Sequence, residues 1–213
     1  MLKLTNLNQF YGQSHTLWDI SLEVQKGECL CVMGRNGVGK TTLMDTIMGQ
    51  HSIESGTIEF DGEDITKLSV EDRASLGIGY VPQGRQIFPL LTVEENLKIG
   101  IGARRDGLKA VPKAIYDMFP VLYDMRHRQG GDLSGGQQQQ LAIGRALVID
   151  PKLIIFDEPT EGIQPNIVSE IAEIMRRLNK EIGLTVLLVE QKLPFARKMG
   201  DRFYIIDRGT HVA

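Results

Sequence analysis

Residues 34–41 place three glycines before a lysine and a threonine, in the order G-x-x-x-x-G-K-[ST]. Because Gly34, Gly37 and Gly39 carry no Cβ, several backbone N–H groups can converge there on one phosphate. Lys40 can reach the outer phosphates of a nucleotide, and Thr41 offers a hydroxyl to Mg²⁺. The alternative is a glycine turn that caps an ordinary helix, but an apolar strand pattern precedes the loop and helical spacing follows it. The spacing therefore predicts a site for a nucleoside triphosphate.

Two adjacent carboxylates follow the apolar run at residues 153–156. An acid at the end of a strand holds Mg²⁺ in P-loop enzymes, and Asp157 suits that role. Glu158 lies one residue further, where it could orient or deprotonate an attacking water. This pair is a weak signal alone and a strong one beside the glycine-rich loop.

A third chemistry-bearing segment stands at the start of a predicted helix over residues 136–147. Ser134, Gly135 and Gly136 leave the N–H groups of the first turn almost free of side chains, which is typical of an anion site. The alternative, a flexible glycine hinge before the helix, stays open for this segment alone. The chain thus contains two predicted phosphate-binding elements that begin 100 residues apart.

The elements that must position these residues indicate an α/β fold. Strand patterns cover residues 2–10, 17–24, 56–60, 78–81, 153–156, 185–189 and 202–206, whereas strand signals vanish from about 84 to 147. Buried apolar strands that alternate with helices predict a mostly parallel sheet with both faces covered. A helix after residue 164 is predicted to bury a stripe that includes Ile171, Leu178 and Ile182.

Composition excludes several classes of protein. The chain has 213 residues and a net charge of −3, so nothing favours nucleic acid as a partner. No apolar run approaches the length of a membrane span, and the N-terminus lacks the apolar segment of a signal peptide. Cys29 and Cys31 have no second pair and no nearby histidine, which favours buried thiols over a metal site. We expect a soluble protein of a reducing compartment.

The motifs and their order resemble those of the nucleotide-binding subunits of ATP-binding-cassette (ABC) transporters over essentially the whole chain. This resemblance implies ATP and Mg²⁺ as ligands. It also implies a P-loop NTPase (RecA-like) core with a small antiparallel β-subdomain and an inserted helical subdomain. Residues 1–213 would form one ABC ATPase domain. Residues 1–83 and 148–213 would be the nucleotide-binding core with the N-terminal β-subdomain, and residues 84–147 the helical subdomain with the signature motif.

The resemblance also implies roles for individual residues. The Walker A, Q-loop, signature and adenine-stacking positions of the family would bind ATP through Tyr11, Gly34, Asn36, Gly37, Gly39, Lys40, Thr41, Thr42, Gln83, Ser134, Gly135, Gly136 and Gln137. The implied Mg²⁺ contacts are Thr41, Gln83 and Asp157, and the implied catalytic residues are Glu158 and Gln191. Stacking by Tyr11 is physically reasonable, although a lone tyrosine beside a turn is as often a packing residue.

Two positions depart from the family pattern. Gln191 stands where the family usually has a histidine that contacts the terminal phosphate, and Gln164 stands where it usually has an aspartate. Glutamine can hydrogen-bond to a phosphate oxygen but cannot become cationic. One hypothesis is that this site hydrolyses ATP slowly while the signature segment serves a fully equipped partner. The other is that Glu158 suffices and Gln191 only positions phosphate.

The resemblance implies several partners. Two such domains would meet head to tail, each ATP lying between one chain's Walker A loop and the other's signature. A second ABC ATPase subunit would form a heterodimer, with a homodimer possible in isolation. Two transmembrane permease subunits and, indirectly, a periplasmic solute-binding protein would complete an importer. The chain would lie at the cytoplasmic face of the bacterial inner membrane as a peripheral subunit.

Several segments resemble one group of importers, those for branched-chain amino acids and urea: residues 84–89, 141–143 and 189–191. Within that group, residues 35–42, 130–137 and 160–165 and Gln83 look more like the urea subunit. Urea is therefore the first expectation and branched-chain amino acids the alternative. The apolar residues 87–91 either belong to the core of the helical subdomain or form a groove for a permease helix.

Overall fold

The computed structural model describes residues 1–104 and 106–213. Its strands in chain order are β1 (Leu2–Tyr11), β2 (Ser14–Val24), β3 (Cys29–Met33), β4 (Ser55–Phe60), β5 (Glu63–Asp64), β6 (Ile78–Val81), β7 (Leu153–Asp157), β8 (Thr185–Glu190), β9 (Arg202–Asp207) and β10 (Thr210–His211). They form a four-stranded antiparallel sheet, ordered β2-β1-β4-β5, and a six-stranded sheet, ordered β10-β9-β3-β8-β7-β6. The larger sheet is parallel except for the pair of β10 and β9. The predicted α/β class is confirmed.

The helices are α1 (Lys40–Met48), α2 (Val70–Leu76), α3 (Val93–Ile101), α4 (Lys113–Met118), α5 (Pro120–Asp124), α6 (Gly135–Leu147), α7 (Pro165–Arg176) and α8 (Leu193–Met199). Between residues 84 and 147, leaving position 105 aside, the chain forms helices and turns but no strand. The Thr92 side chain accepts a hydrogen bond from the Glu95 N–H, and the Glu95 carboxylate accepts one from the Thr92 N–H, which starts α3.

Side chains along the central strands alternate between two hydrophobic cores. Cys29, Cys31 and Phe156 lie in the core that contains α6, α7 and α8. Leu30 and Val32 lie in the core that contains α1 and the antiparallel sheet. Strands that are buried on both faces read as continuous apolar runs, which is why these segments were recognisable from sequence. Both cysteines are buried, so the prediction of buried thiols is confirmed, and burial raises the pKa of the Cys29 thiol to about 12.

The parallel strands place the chemistry-bearing residues along one edge of the larger sheet. The phosphate loop follows β3, Gln83 follows β6, the two carboxylates end β7, and Gln191 follows β8. Met33 is paired with Glu190, and Asp157 with Val189, so the carboxyl ends of these strands are in register. Residues far apart in the chain therefore meet where open α/β sheets bind their ligands.

One predicted core residue is exposed. Ile182 was placed on the buried stripe of the helix after residue 164, but 59% of its surface is accessible. The cause is a π-helical segment, Arg177–Glu181, which follows α7 and changes the angular spacing of the side chains. Ile171 lies in α7 and Leu178 in the π-helical segment, and both are buried as predicted.

Arg73 should contribute strongly to stability. Its guanidinium is buried and donates to the carbonyl oxygens of Thr46, Ile47, Thr66 and Leu68 at 2.7–3.1 Å, thereby capping the end of α1. Arg73→Met would remove these four hydrogen bonds and leave buried carbonyl oxygens without the guanidinium donor, so we expect the free energy of unfolding to fall by about 3 kcal/mol in urea denaturation. The exposed Arg128→Met serves as control and should change it by less than about 0.5 kcal/mol. Equal effects of the two substitutions would contradict this role.

Candidate functional site

The loop between β3 and α1 exposes unpaired backbone donors. Gly39 caps α1 with φ of 105°, a conformation that disfavours any side chain. A Cβ on Gly34 would lie 2.4 Å from the carbonyl oxygen of Ile206, so the loop also needs glycine there. No described residue accepts a hydrogen bond from the N–H groups of Gly39, Lys40 or Thr41. These groups and the start of α1 form a fitting cradle for phosphate.

The buried ammonium of Lys40 links this loop to β7. Its Nζ donates to the carbonyl oxygens of Gly34, at 2.9 Å, and Arg35, at 2.8 Å. It also lies 3.4 Å from Oε1 of Glu158, and both side chains are more than 90% buried. The lysine and the proposed general base are therefore neighbours in a region of low dielectric constant, where their attraction is strong.

Glu158 is held in place by its backbone and by Gln191. Its φ of 49° is in the left-handed region, which is uncommon for a residue with a side chain. The Glu158 N–H donates to the Val189 carbonyl at 3.0 Å. The side-chain amide of Gln191 donates to Oε2 of Glu158 at 2.5 Å. Gln191 thus contacts the carboxylate that would act on water.

Asp157 has the properties of a metal ligand. It is fully buried, and neither carboxylate oxygen finds a hydrogen-bond partner among the described residues. Burial raises its pKa to about 6; the carboxylates of Glu158 and Asp45 add to the rise, and the positive charge of Lys40 opposes it. A buried oxygen pair without donors fits Mg²⁺, which needs only one or two carboxylates when phosphates complete its shell. The described residues contain no group of three or more His, Cys, Asp or Glu side chains that could hold a metal alone.

A cavity of about 330 Å³ brings these elements together. Eight predicted site residues line it: Asn36, Gly37, Gly39, Lys40, Thr41, Thr42, Gln83 and Glu158. One further lining residue, Thr16, was not predicted from the sequence. Thr16 lies in β2, and no motif marked it. Gln83 is exposed, and its amide donates to the carboxylate of Glu161 at 2.8 Å.

Tyr11 lies at the margin of this region. Its hydroxyl is 3.5 Å from Oγ1 of Thr42, and its ring packs edge-on against His51. The ring is half exposed and does not line the cavity. Adenine stacking by Tyr11 therefore stays a prediction.

The signature segment forms a well-capped helix start away from the cavity. The Ser134 hydroxyl accepts from the Gln137 backbone N–H at 3.4 Å, and the side-chain Oε1 of Gln137 accepts from the Ser134 N–H at 2.9 Å. No described residue accepts a hydrogen bond from the N–H groups of Gly135 or Gly136. Gly136 is also required for packing, because a Cβ there would lie 2.5 Å from Ile167. None of these residues lines the 330 Å³ cavity, so the two predicted phosphate-binding elements do not share that cavity.

Comparison with known proteins decides the family. The family model for the ABC transporter matches residues 17–161. The chain belongs to the ABC transporter family. It is accordingly an ABC-type ATPase that binds ATP with Mg²⁺, and the cofactor prediction is confirmed.

Relatives match this ABC ATPase along most of its length. It is 40% identical over 213 residues to the high-affinity branched-chain amino acid transport ATP-binding protein BraG of Pseudomonas aeruginosa, covering 100% of this chain and 91% of that protein. It is 37% identical over 210 residues to the probable branched-chain amino acid transport ATP-binding protein LivF of Archaeoglobus fulgidus, covering 98% and 89%. A dimeric ATP-binding cassette in a post-hydrolysis state with ADP and Pi superposes with a TM-score of 0.89 at 28% identity, covering 100% and 97%.

The fold of those cassettes agrees with the predicted P-loop architecture. In the part of this ABC ATPase that the structure describes, no helix is long and apolar enough to span a bilayer. ABC ATPases dimerise and work with transmembrane permease components. The separate roles of the site residues stay predictions.

Replacing Asp157 should stabilise the metal-free protein. Its folded-state pKa of about 6 lies above the ordinary value of 3.8, so the unfolded chain loses this proton first and stability falls as pH rises between the two. We expect Asp157→Asn to raise the free energy of unfolding at pH 8 by on the order of 2 kcal/mol, and by less near pH 5.

Urea denaturation with EDTA at both pH values measures this gain. The exposed Asp124→Asn is the matched control and should leave stability unchanged. A loss of stability in Asp157→Asn at pH 8 would show that the buried carboxylate is better satisfied than its lack of described partners indicates.

Proposed function

We propose that this chain hydrolyses ATP to energise an importer of branched-chain amino acids. The observation that carries the hydrolytic role is the buried carboxylate of Glu158, held between Lys40 and Gln191 at the 330 Å³ cavity. The names of two relatives, with 40% and 37% identity, support the substrate class. A nucleotide-binding subunit does not itself bind the solute, so the substrate class rests on this kinship.

The residues would divide the chemistry as follows. The N–H groups of the Walker A loop and Lys40 bind the triphosphate. Thr41, Gln83 and Asp157 hold Mg²⁺, which neutralises charge on the phosphates. Glu158 orients the attacking water and accepts its proton, and the Gln191 amide fixes the carboxylate for that task.

A second ATPase subunit would complete each site. Ser134, Gly135, Gly136 and Gln137 lie away from the cavity of their own chain, so they are free to serve the nucleotide of a partner. Nucleotide binding then closes the dimer, because the site gains its missing donors only on closure. The partner is a second ABC subunit in a heterodimer, or a second copy in isolation. Each chain would combine a core (residues 1–83 and 148–213) with a helical subdomain (residues 84–147).

The permeases would place this subunit at the cytoplasmic face of the inner membrane, and a periplasmic solute-binding protein would deliver the solute to them. Residues 87–91 fit such a contact. Leu90 is 80% exposed and Phe88 is 45% exposed, whereas Ile87 packs against the core. Ile87 therefore fits the alternative of a core residue, whereas Phe88 and Leu90 fit the alternative of a contact with a permease helix.

The contact between Gln191 and Glu158 favours full hydrolysis over a purely assembly role. We expect Glu158→Gln to lower kcat for ATP at least 100-fold, because a general base contributes that much or more. Gln191→Ala should lower kcat about 10-fold, since it frees the carboxylate without removing it. Steady-state ATPase assays on the assembled transporter, with the KM for ATP, test both substitutions.

The exposed Gln50→Ala serves as control and should turn over normally. Turnover that is unaffected by Glu158→Gln would identify a largely non-hydrolytic subunit, which contributes its signature face to the partner's site.

Urea is the second candidate solute. It is favoured by residues 35–42, 130–137 and 160–165 and by Gln83, which look more like the urea subunit. We expect cells whose chromosomal copy carries Lys40→Ala to lose uptake of labelled leucine and to keep uptake of labelled urea. Loss of urea uptake with normal leucine uptake would reverse the choice. Restoration of uptake by the unmodified gene is the control.

A further inference from the structure

Glu190 carries a buried carboxylate at the end of β8, where the rest of the strand is apolar except Thr185. Only 2% of its surface is exposed. One oxygen, Oε1, accepts a hydrogen bond from the Thr160 hydroxyl. The other, Oε2, accepts from the backbone N–H groups of Gln191 at 2.7 Å and Lys192 at 2.9 Å. Three donors thus satisfy one buried charge.

These donors belong to the two loops that carry the reacting groups. Thr160 lies two residues after Glu158, and Gln191 directly follows Glu190. The Lys192 ammonium adds a third connection, donating to the Thr160 carbonyl at 3.0 Å. Glu190 therefore joins the loop after β7 to the loop after β8, beside the 2.5 Å contact between Gln191 and Glu158.

Packing alone does not explain a carboxylate at this place. A buried charge is costly unless it is fully hydrogen-bonded, and an apolar residue of similar volume often stabilises a protein as well or better. The carboxylate fixes the relative position of two loops, because one oxygen accepts from two successive backbone N–H groups of one loop while the other oxygen accepts from the opposite loop. Glu158 needs such support, since its left-handed backbone is intrinsically unfavourable.

We propose that Glu190 is a positioning residue of the ATPase site. With Thr160 it holds the loop of Gln191 against the loop of Glu158, so that the Gln191 amide reaches the Glu158 carboxylate in the orientation needed to activate water. This inference rests on the roles proposed above for Glu158 and Gln191.

Steady-state kinetics of the assembled transporter test it. Glu190→Ala should lower kcat about 10-fold and leave the KM for ATP within about threefold, because phosphate binding lies elsewhere. Glu190→Gln should keep kcat within about threefold, because its amide oxygen can accept both N–H groups while its NH₂ donates to Thr160. Thr160→Val removes one hydrogen bond at nearly constant volume and should give an intermediate kcat.

A double-mutant cycle separates positioning from a general structural role. If Glu190 acts through Gln191, Glu190→Ala should lower kcat less than twofold when Gln191→Ala is already present. An equal loss in both backgrounds, a raised KM, or no recovery in Glu190→Gln would overturn the proposal. Thr160→Val covers the case in which Glu190→Ala does not fold, and wild-type kcat in that variant would also overturn it.

The two levels of inference fail differently. If Glu158→Gln and Gln191→Ala turn over normally, the proposed hydrolytic site is wrong whatever residue 190 does. If both are impaired while Glu190→Ala and Thr160→Val match the wild type, only the positioning role is wrong.

Discussion

The buried pair of Lys40 and Glu158 is the contact on which the site depends. It joins the phosphate loop after β3 to the residue that follows β7, across β8, which lies between the two strands in the sheet. Three carboxylates end these neighbouring strands in the interior, at Asp157, Glu158 and Glu190. Their surroundings differ: Asp157 has no hydrogen-bond partner among the described residues, Glu158 contacts a lysine and an amide, and Glu190 accepts from three donors. Because the parallel strands are in register, the three carboxylates lie close together at one edge of the sheet.

Much of the site was predictable because its elements are local in sequence. The phosphate loop, the carboxylates after β7 and the capped start of α6 each occupy a few consecutive residues, and each motif has a physical reason of its own. The strands were visible because buried parallel strands are apolar throughout. The helices of residues 84–147 followed from helix-start signals and the absence of strand patterns, whereas the antiparallel subdomain was expected from the family resemblance.

What sequence did not reveal depends on contacts between distant residues. Thr160 and Glu190 are separated by 30 positions, and Gln83 and Glu161 by 78, so no periodicity relates them. One signal of Glu190 was present in the sequence: it is a charged residue at the end of an apolar strand, where a charge is buried only when it is paired or hydrogen-bonded. Ile182 was misplaced because hydrophobic periodicity assumes a regular α-helix, and the π-helical turn breaks that assumption.

The buried side chain of Asn96 has a mechanical consequence. Its amide nitrogen donates to the carbonyls of Phe88, Leu91 and Thr92, and its oxygen accepts from the Phe88 N–H. The exposed Phe88 and Leu90 therefore lie in a loop that is hydrogen-bonded to the first turn of α3. Force applied to these apolar side chains would be carried into the helix as a rigid-body displacement instead of being lost in bending of the loop. The proposed permease contact at residues 87–91 would therefore be a stiff one.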